Sequence, residues 1–281
     1  MTTATEWTGP VGDIWAREWR RTDRSFAGLA PQLQAAILAT APMPGSHIVD
    51  IGCGAGATSL SLAEALPNAA ITGIDISPGL IEIAVRRADR RPGLDFIVAP
   101  VETAVAALAP IDCFVSRHGV MFFTDPVAAF TALRAAAAPG ARLVFSCFRA
   151  AALNPWASEI AAAVLGQPSK PPADYAPSPF AFADPDRPRA ILAAAGWLET
   201  ACSPADFVYR AGEGEDPVAD AVDFFTYVGP SAPALRAAEP DVRAAMLDRM
   251  TAVVARYRTG NTVDFPAAAW LWSAKAGEEA P

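Results

Sequence analysis

His47-Ile-Val-Asp-Ile-Gly-Cys-Gly-Ala-Gly-Ala57 reads as a buried strand that breaks into a glycine turn and opens a helix. Ile48, Val49 and Ile51 form the apolar, β-branched run of the strand. Gly52, Gly54 and Gly56 remove the side chains that would hold a ligand off the backbone, and Cys53 sits between the first two. Such a turn suits a nucleoside cofactor. The pattern Gly52-x-Gly54-x-x-Ala57 also satisfies the permissive glycine fingerprint of dinucleotide-binding folds, so the glycines alone leave the cofactor open.

Two carboxylates decide it. Asp50 stands two residues before the first glycine, where a pyrophosphate on the following helix N-terminus would meet an uncompensated negative charge. A cationic group suits that position, and S-adenosylmethionine offers an ammonium and a sulfonium where NAD offers two phosphates. Asp75 ends the next apolar run, Ala70-Ile-Thr-Gly-Ile-Asp75, about 20 residues beyond the turn, the distance at which an acidic side chain accepts the ribose hydroxyls. That role fits either cofactor.

On these residues the chain resembles the class I S-adenosylmethionine-dependent methyltransferases, in particular those of ubiquinone and menaquinone biosynthesis. Val49-Asp-Ile-Gly-Cys-Gly-Ala-Gly56 looks like the family's first motif and Gly73-Ile-Asp-Ile-Ser77 its second. Ile111-Asp-Cys-Phe-Val-Ser-Arg-His-Gly-Val-Met-Phe-Phe123 is similar to the strand and loop that line the methyl site, and Pro139-Gly-Ala-Arg-Leu-Val-Phe145 to the turn into the fifth strand. The resemblance implies an α/β, Rossmann-like fold: a seven-stranded, mostly parallel sheet with helices on both faces, a terminal antiparallel strand and cap insertions. It implies that Asp50, Gly52, Cys53, Gly54, Gly56, Asp75, Ile76, Val101, Glu102 and Ser116 surround S-adenosylmethionine, with S-adenosylhomocysteine as product. One departure stands out. Relatives commonly place an acid after the third strand to accept the adenine amino group, and Pro100 occupies that position here. Glu102 or a backbone carbonyl is then the alternative acceptor, unless Glu102 only opens the next helix.

With 281 residues the chain can bury a large core, as one elaborated domain. Its formal net charge of -8 argues against a surface that tracks phosphates, so nucleic acid is not an expected partner. The one basic run, Arg86-Arg87-Ala-Asp-Arg90-Arg91, reads as a solvated helix end. Cys53, Cys113, Cys147 and Cys202 are widely separated, with neither zinc spacing nor a disulfide framework. No apolar run reaches the ~20 residues that span a bilayer, and the N-terminus lacks a basic start before an apolar stretch, so a cytoplasmic protein is expected. The 52% hydrophobic content comes largely from alanine, a strong helix former.

Strand-like and helix-like segments alternate from about residue 47 to 149, the pattern of a parallel sheet flanked by helices. Ser77-Pro78, Asp125-Pro126 and Asp184-Pro185 each place a capping side chain before a proline, and Gly196 marks a helix stop. Leu80, Ala84 and Ala88, like Leu62 and Leu66, keep an i, i+4 stripe against the sheet. The last strands fall near Phe207-Val-Tyr209 and Ala268-Ala-Trp-Leu-Trp-Ser273. The expected organisation is a core of about 40–149, 184–210 and 265–276. To it are added an N-terminal lid, about 1–39, and caps at about 150–183 and 211–264. The first cap carries Pro168, Pro171, Pro172, Pro177 and Pro179.

Methyl transfer from a sulfonium is an in-line displacement, so the protein must align the reacting atoms in a dry pocket. Of two histidines, His118 falls where the fourth strand opens into the active-site loop and is the candidate general base, with a stacking or packing role as the alternative. His47, after a Pro-Gly turn, reads as structural. Arg117 is a candidate for a substrate carboxylate, or else for a local salt bridge. Phe122, Trp156 and Tyr227 lead an aromatic set, with Phe123, Phe180, Phe182, Phe224 and Phe225, that points to an apolar or aromatic substrate. Trp15 and Trp19 share a helical face and either pack or close over the cofactor. The expected activity is methylation of a small organic acceptor, at oxygen in preference to a quinone-type carbon or an amine, without a metal, by a monomer or homodimer. A nicotinamide-dependent oxidoreductase is the alternative from another class.

Overall fold

The computed structural model describes residues 4–40, 42–167 and 175–278. Pro168, Pro171 and Pro172 lie outside the described residues. The parallel strands are β1 (His47–Ile51), β2 (Ala70–Asp75), β3 (Leu94–Val98), β4 (Ile111–Arg117) and β5 (Ala137–Phe148). They are followed by β6 (Leu198–Glu213), β7 (Arg258–Thr259) and β8 (Thr262–Lys275). The order is β3-β2-β1-β4-β5-β8-β6, with β8 antiparallel to both β5 and β6. The expected seven-strand path is present. The two-residue β7 is an added strand, folded onto β8 through Gly260 at φ 62°.

β6 and β8 run well beyond the short signals visible in the sequence, because each contains a proline that argues against a strand. Pro204 costs little because β6 is an edge strand with only β8 beside it. Pro266 pairs with Val208, beyond the point where β5 ends its pairing with β8 at Phe148–Ala269. Neither proline removes an interior ladder hydrogen bond.

Continuous apolar runs become β1 and β4, buried on both faces. The caps form as their side chains dictate: Ser77 accepts from the Leu80 N–H at 3.3 Å and Asp125 from the Ala128 N–H at 2.9 Å. Asp184 instead accepts from the Asp186 N–H at 3.1 Å, and its helix begins one residue later than the sequence predicts, at Asp186–Ala194. That helix ends as foreseen, with Gly196 at φ 79° and the Trp197 N–H returning to the Leu192 carbonyl at 2.9 Å. Leu80, Ala84 and Ala88 are buried, as is Leu62.

Before β1 lie four helices, Ala4–Trp7, Pro10–Arg17, Trp19–Ser25 and Ala30–Leu38. Trp15 and Trp19 fall on two helices separated at Glu18, and both pack against Ala55, Leu80 and Ile83. Between β6 and β8 lie helices Pro217–Tyr227, Ala232–Ala237 and Pro240–Ala255, and after β5 lies Pro155–Leu165. Among the described residues no helix is long and apolar enough to cross a membrane.

This topology creates the site. The chain winds from β1 outward to β3, then returns to lay β4 on the other side of β1. Helices therefore leave the carboxyl ends of β1 and β4 in opposite directions, opening a crevice there.

Candidate active site

A cavity of about 270 Å³ fills that crevice. Its floor is the glycine turn, where Gly52, Gly54 and Gly56 all have positive φ, at 62°, 55° and 79°. The turn is pinned to the neighbouring strand: the Gly54 N–H donates to Asp75 Oδ2 at 2.9 Å, and the Ser77 N–H to Asp75 Oδ1 at 2.9 Å. A Cβ at Gly54 would meet no atom within 4 Å, so this glycine keeps ligand space open. Gly56 differs from its sequence assignment. It does not line the cavity, and a Cβ there would press within about 3.0 Å of the Phe96 ring and 3.1 Å of Ala84, so its role is helix-to-strand packing.

Asp50 is fully buried yet lines the cavity. The Ser59 hydroxyl donates to its Oδ2 at 2.6 Å, while Oδ1 has no partner among the described residues. Burial pushes the carboxyl up to about 6, against the opposing pull of the Ser59 hydrogen bond and the positive Arg117. A buried carboxylate oxygen without a partner is costly until a cation or N–H donor meets it. The ammonium of S-adenosylmethionine is such a group, and a pyrophosphate is not. Asp75 also lines the cavity; burial raises it too, and each oxygen already holds one backbone N–H, which leaves lone pairs for hydroxyl donors. These residues fit the methyl donor.

Cys53, Ile76, Val101, Glu102 and Pro100 line the same cavity. Glu102 lies in the first turn of helix Val101–Ala104, for which Pro100 is the N-cap residue. Ser116 does not line it, correcting its assignment as a cofactor contact. Its hydroxyl is used within the fold, donating to the Ile51 carbonyl at 2.7 Å and accepting from the Gly119 N–H at 3.1 Å. It thereby holds Gly119 against the glycine turn, where a Cβ would come within 2.7 Å of the Ile51 carbonyl oxygen.

Phe26, Phe122, Phe148, Trp156 and Tyr209 also line the cavity. Trp156 and Tyr209 stack at 4.6 Å, with ring planes 6° apart. Tyr227 is not part of this wall. Its ring lies under the Arg17 guanidinium at 3.9 Å, and its neighbours Val228 and Gly229 reach the cavity instead. Phe182, Phe224 and Phe225 are core. Arg117 faces the cavity but is already paired: its Nη2 donates to Asp23 Oδ1 at 2.9 Å, and Asp23 also pairs with Arg87 at 2.9 Å. Arg87 thus belongs to this cluster and lies over Trp19, rather than on a solvated helix end.

His118 also lines the cavity. It follows β4 at φ 62°, 6% exposed, with its backbone N–H donating to the Ser146 carbonyl at 3.2 Å and its Nδ1 2.8 Å from Ser146 Oγ. Phe148 and Phe26 enclose the ring at 4.1 and 4.9 Å. Nε2 is buried and without a partner among the described residues, on a residue that lines the cavity. Burial, reinforced by the positive Arg117 beside it, holds the imidazole well below its ordinary range, so it is neutral at pH 7. His47 is structural, its Nε2 3.2 Å from Thr72 Oγ1. Sequence reading missed Asp23, Phe26, Phe148 and Tyr209 because folding, and no local motif, brings them to the cavity.

Residues 48–140 match the family described as a methyltransferase domain. Over that third of its length the chain carries a methyltransferase domain, and the sheet order and glycine-turn site are those of the class I S-adenosylmethionine-dependent methyltransferase fold. Among individual proteins, it is similar to the aklanonic acid methyltransferase of Streptomyces sp. (strain C5), at 32% identity over 37% of this chain and 49% of that protein. It is also similar to the malonyl-[acyl-carrier protein] O-methyltransferase of Hahella chejuensis, at 33% identity over 35% of each chain. The aligned part is thus between a third and a half of these relatives. The crystal structure of the YcgJ protein from Bacillus subtilis shares the fold, with a TM-score of 0.55 and 14% identity over 88% of this chain and 98% of that one.

Proposed function

We propose that this protein methylates a small, largely apolar or aromatic organic acceptor at oxygen, using S-adenosylmethionine. The observation that carries the reading is the meeting of two chemistries in one cavity. Its lining brings the partnerless Asp50 oxygen and the open Gly54 together with a set of aromatic rings, two of which enclose the partnerless Nε2 of His118. S-adenosylmethionine, when bound, supplies a methyl carbon activated by its sulfonium. Asp50 and Asp75 hold the donor, Phe148, Trp156 and Tyr209 exclude water and orient a flat acceptor, and His118 meets the acceptor's reactive oxygen. The two relatives named above are methyltransferases, one of them an O-methyltransferase by name, which supports this choice of atom.

Calorimetry tests the donor half. S-adenosylhomocysteine is expected to bind and NAD to leave no signal, and Asp50→Asn is expected to weaken S-adenosylhomocysteine at least tenfold, or about 1.4 kcal/mol. Binding of NAD in preference to S-adenosylhomocysteine would defeat the proposal.

A further inference from the structure

We propose that Ser146 fixes His118 as a neutral hydrogen-bond donor, with the proton on Nε2 pointing into the cavity, and that the acceptor is an oxygen acid already ionised near neutral pH, such as an acidic phenol or enol. The substrate class rests on the methyl-transfer reading; the tautomer does not.

Proton placement carries the argument. Ser146 sits near the carboxyl end of β5, fully buried, and its hydroxyl has the His118 Nδ1 as its one hydrogen-bond partner among the described residues. Two arrangements satisfy the 2.8 Å contact. If Nδ1 carries the proton, it donates to Ser146 Oγ, and the serine's own O–H is left buried inside the sheet with nothing to receive it. If the serine donates to Nδ1, its proton is satisfied and the imidazole N–H moves to Nε2. The first arrangement also leaves Nε2 a bare buried acceptor, whereas in the second the Nε2–H is the one group of the pair without a protein partner, on a residue that lines the cavity. A buried donor with no acceptor costs about 1–3 kcal/mol, so the second arrangement prevails.

The ring has little freedom to escape this choice. Its backbone N–H is tied to the Ser146 carbonyl, and Phe26 and Phe148 enclose it. The depressed basicity agrees, since an imidazole that resists protonation stays a neutral donor.

A donor at Nε2 cannot take a proton. The nucleophilic oxygen must then arrive without one: its lone pair forms the new O–CH3 bond while the C–S bond breaks and sulfur keeps that pair. No proton changes hands. The Nε2–H holds the oxyanion in place, and Arg117, bound to Asp23 through one of its nitrogens, adds positive potential nearby.

Nitrogen NMR of the ligand-free protein reads the tautomer directly, and only two histidines need assignment. Expected is a protonated Nε2 and an unprotonated Nδ1 at His118 at pH 7.5; the reverse pattern overturns the proposal. Ser146→Ala is expected to give a mixture of tautomers and Ser146→Thr to restore one, and an unchanged spectrum in the alanine variant removes Ser146 from the role. The substrate class is tested with 4-nitrophenolate titrated into the S-adenosylhomocysteine complex. His118→Gln retains an N–H donor and should bind it within a few-fold of the native protein, whereas His118→Ala should lose about tenfold. Equal loss in both variants, or no binding to any of the three proteins, rejects the ionised-oxygen acceptor. Because the NMR needs no cofactor, and S-adenosylhomocysteine binding is measured separately, a failure here is distinct from failure of the methyl-transfer reading.

Discussion

A single oxygen of Asp50 ties stability to ligand binding. Its carboxyl is raised to about 6 by burial, above the ~3.9 of an unfolded aspartate. The folded state therefore binds the proton more tightly, and this group's contribution is fully present below the unfolded value and is lost as pH rises through about 6. At neutral pH the ligand-free fold carries a penalty on the order of 3 kcal/mol, which a bound ammonium offsets. Two outcomes are expected together. S-adenosylhomocysteine affinity should climb between pH 5 and 7 and then level off, and Asp50→Asn should raise the ligand-free Tm at pH 7.5 by roughly 5 °C while flattening that profile. Titration calorimetry and scanning calorimetry across pH check both. An affinity independent of pH in the native protein would contradict the coupling.

Within the strand-turn-helix that floors the cavity, neighbouring glycines serve different ends, and substitution should separate them. Gly54→Ala places a methyl in open ligand space, so S-adenosylhomocysteine affinity should fall at least tenfold with a Tm loss of only a few degrees, the cost of a non-glycine residue at φ 55°. Gly56→Ala drives a methyl into Phe96 and Ala84, so it should lower Tm by more. Thermal melts with and without ligand distinguish the two, and identical behaviour of the variants would refute this division. The turn, the strand that feeds it and the Ser77 and Asp125 caps were legible because each is specified by residues adjacent in sequence. Gly56, Ser116 and Tyr227 were misassigned because spacing shows that a residue is near a turn but not which way it faces. The lengths of β6 and β8 were hidden by Pro204 and Pro266, whose tolerance depends on which strand lies alongside. The aromatic chamber was legible in kind, through Phe122 and Trp156, and illegible in detail, because Phe26, Phe148 and Tyr209 come from distant parts of the chain.

Taken as a whole, the molecule closes its cavity with segments that precede β1 and follow β6. Helix Trp19–Ser25 and its C-cap residue Phe26 bring Trp19, Asp23 and Phe26 to the cavity wall, and the helix also pairs with helix Pro217–Tyr227. Arg24 pairs with Asp220 at 2.7 Å, and Arg21 reaches Asp220 at 3.1 Å and Asp223 at 2.7 Å. Each partly exposed pair alone contributes little, but here Asp220 serves two arginines at once. Asp220→Ala is expected to lower Tm by a few degrees and to weaken S-adenosylhomocysteine several-fold, although the residue does not line the cavity. Unchanged affinity, measured by calorimetry at low ionic strength, would show that the two segments cover the site independently. The sheet order has a consequence for biogenesis. β6, which carries Tyr209, pairs only with β8, which lies some fifty residues later. During synthesis the donor-binding floor has all its strands well before the aromatic wall can zip into place. A ribosome paused between the two would display a nascent protein with half a pocket, its rings bare and in need of a chaperone.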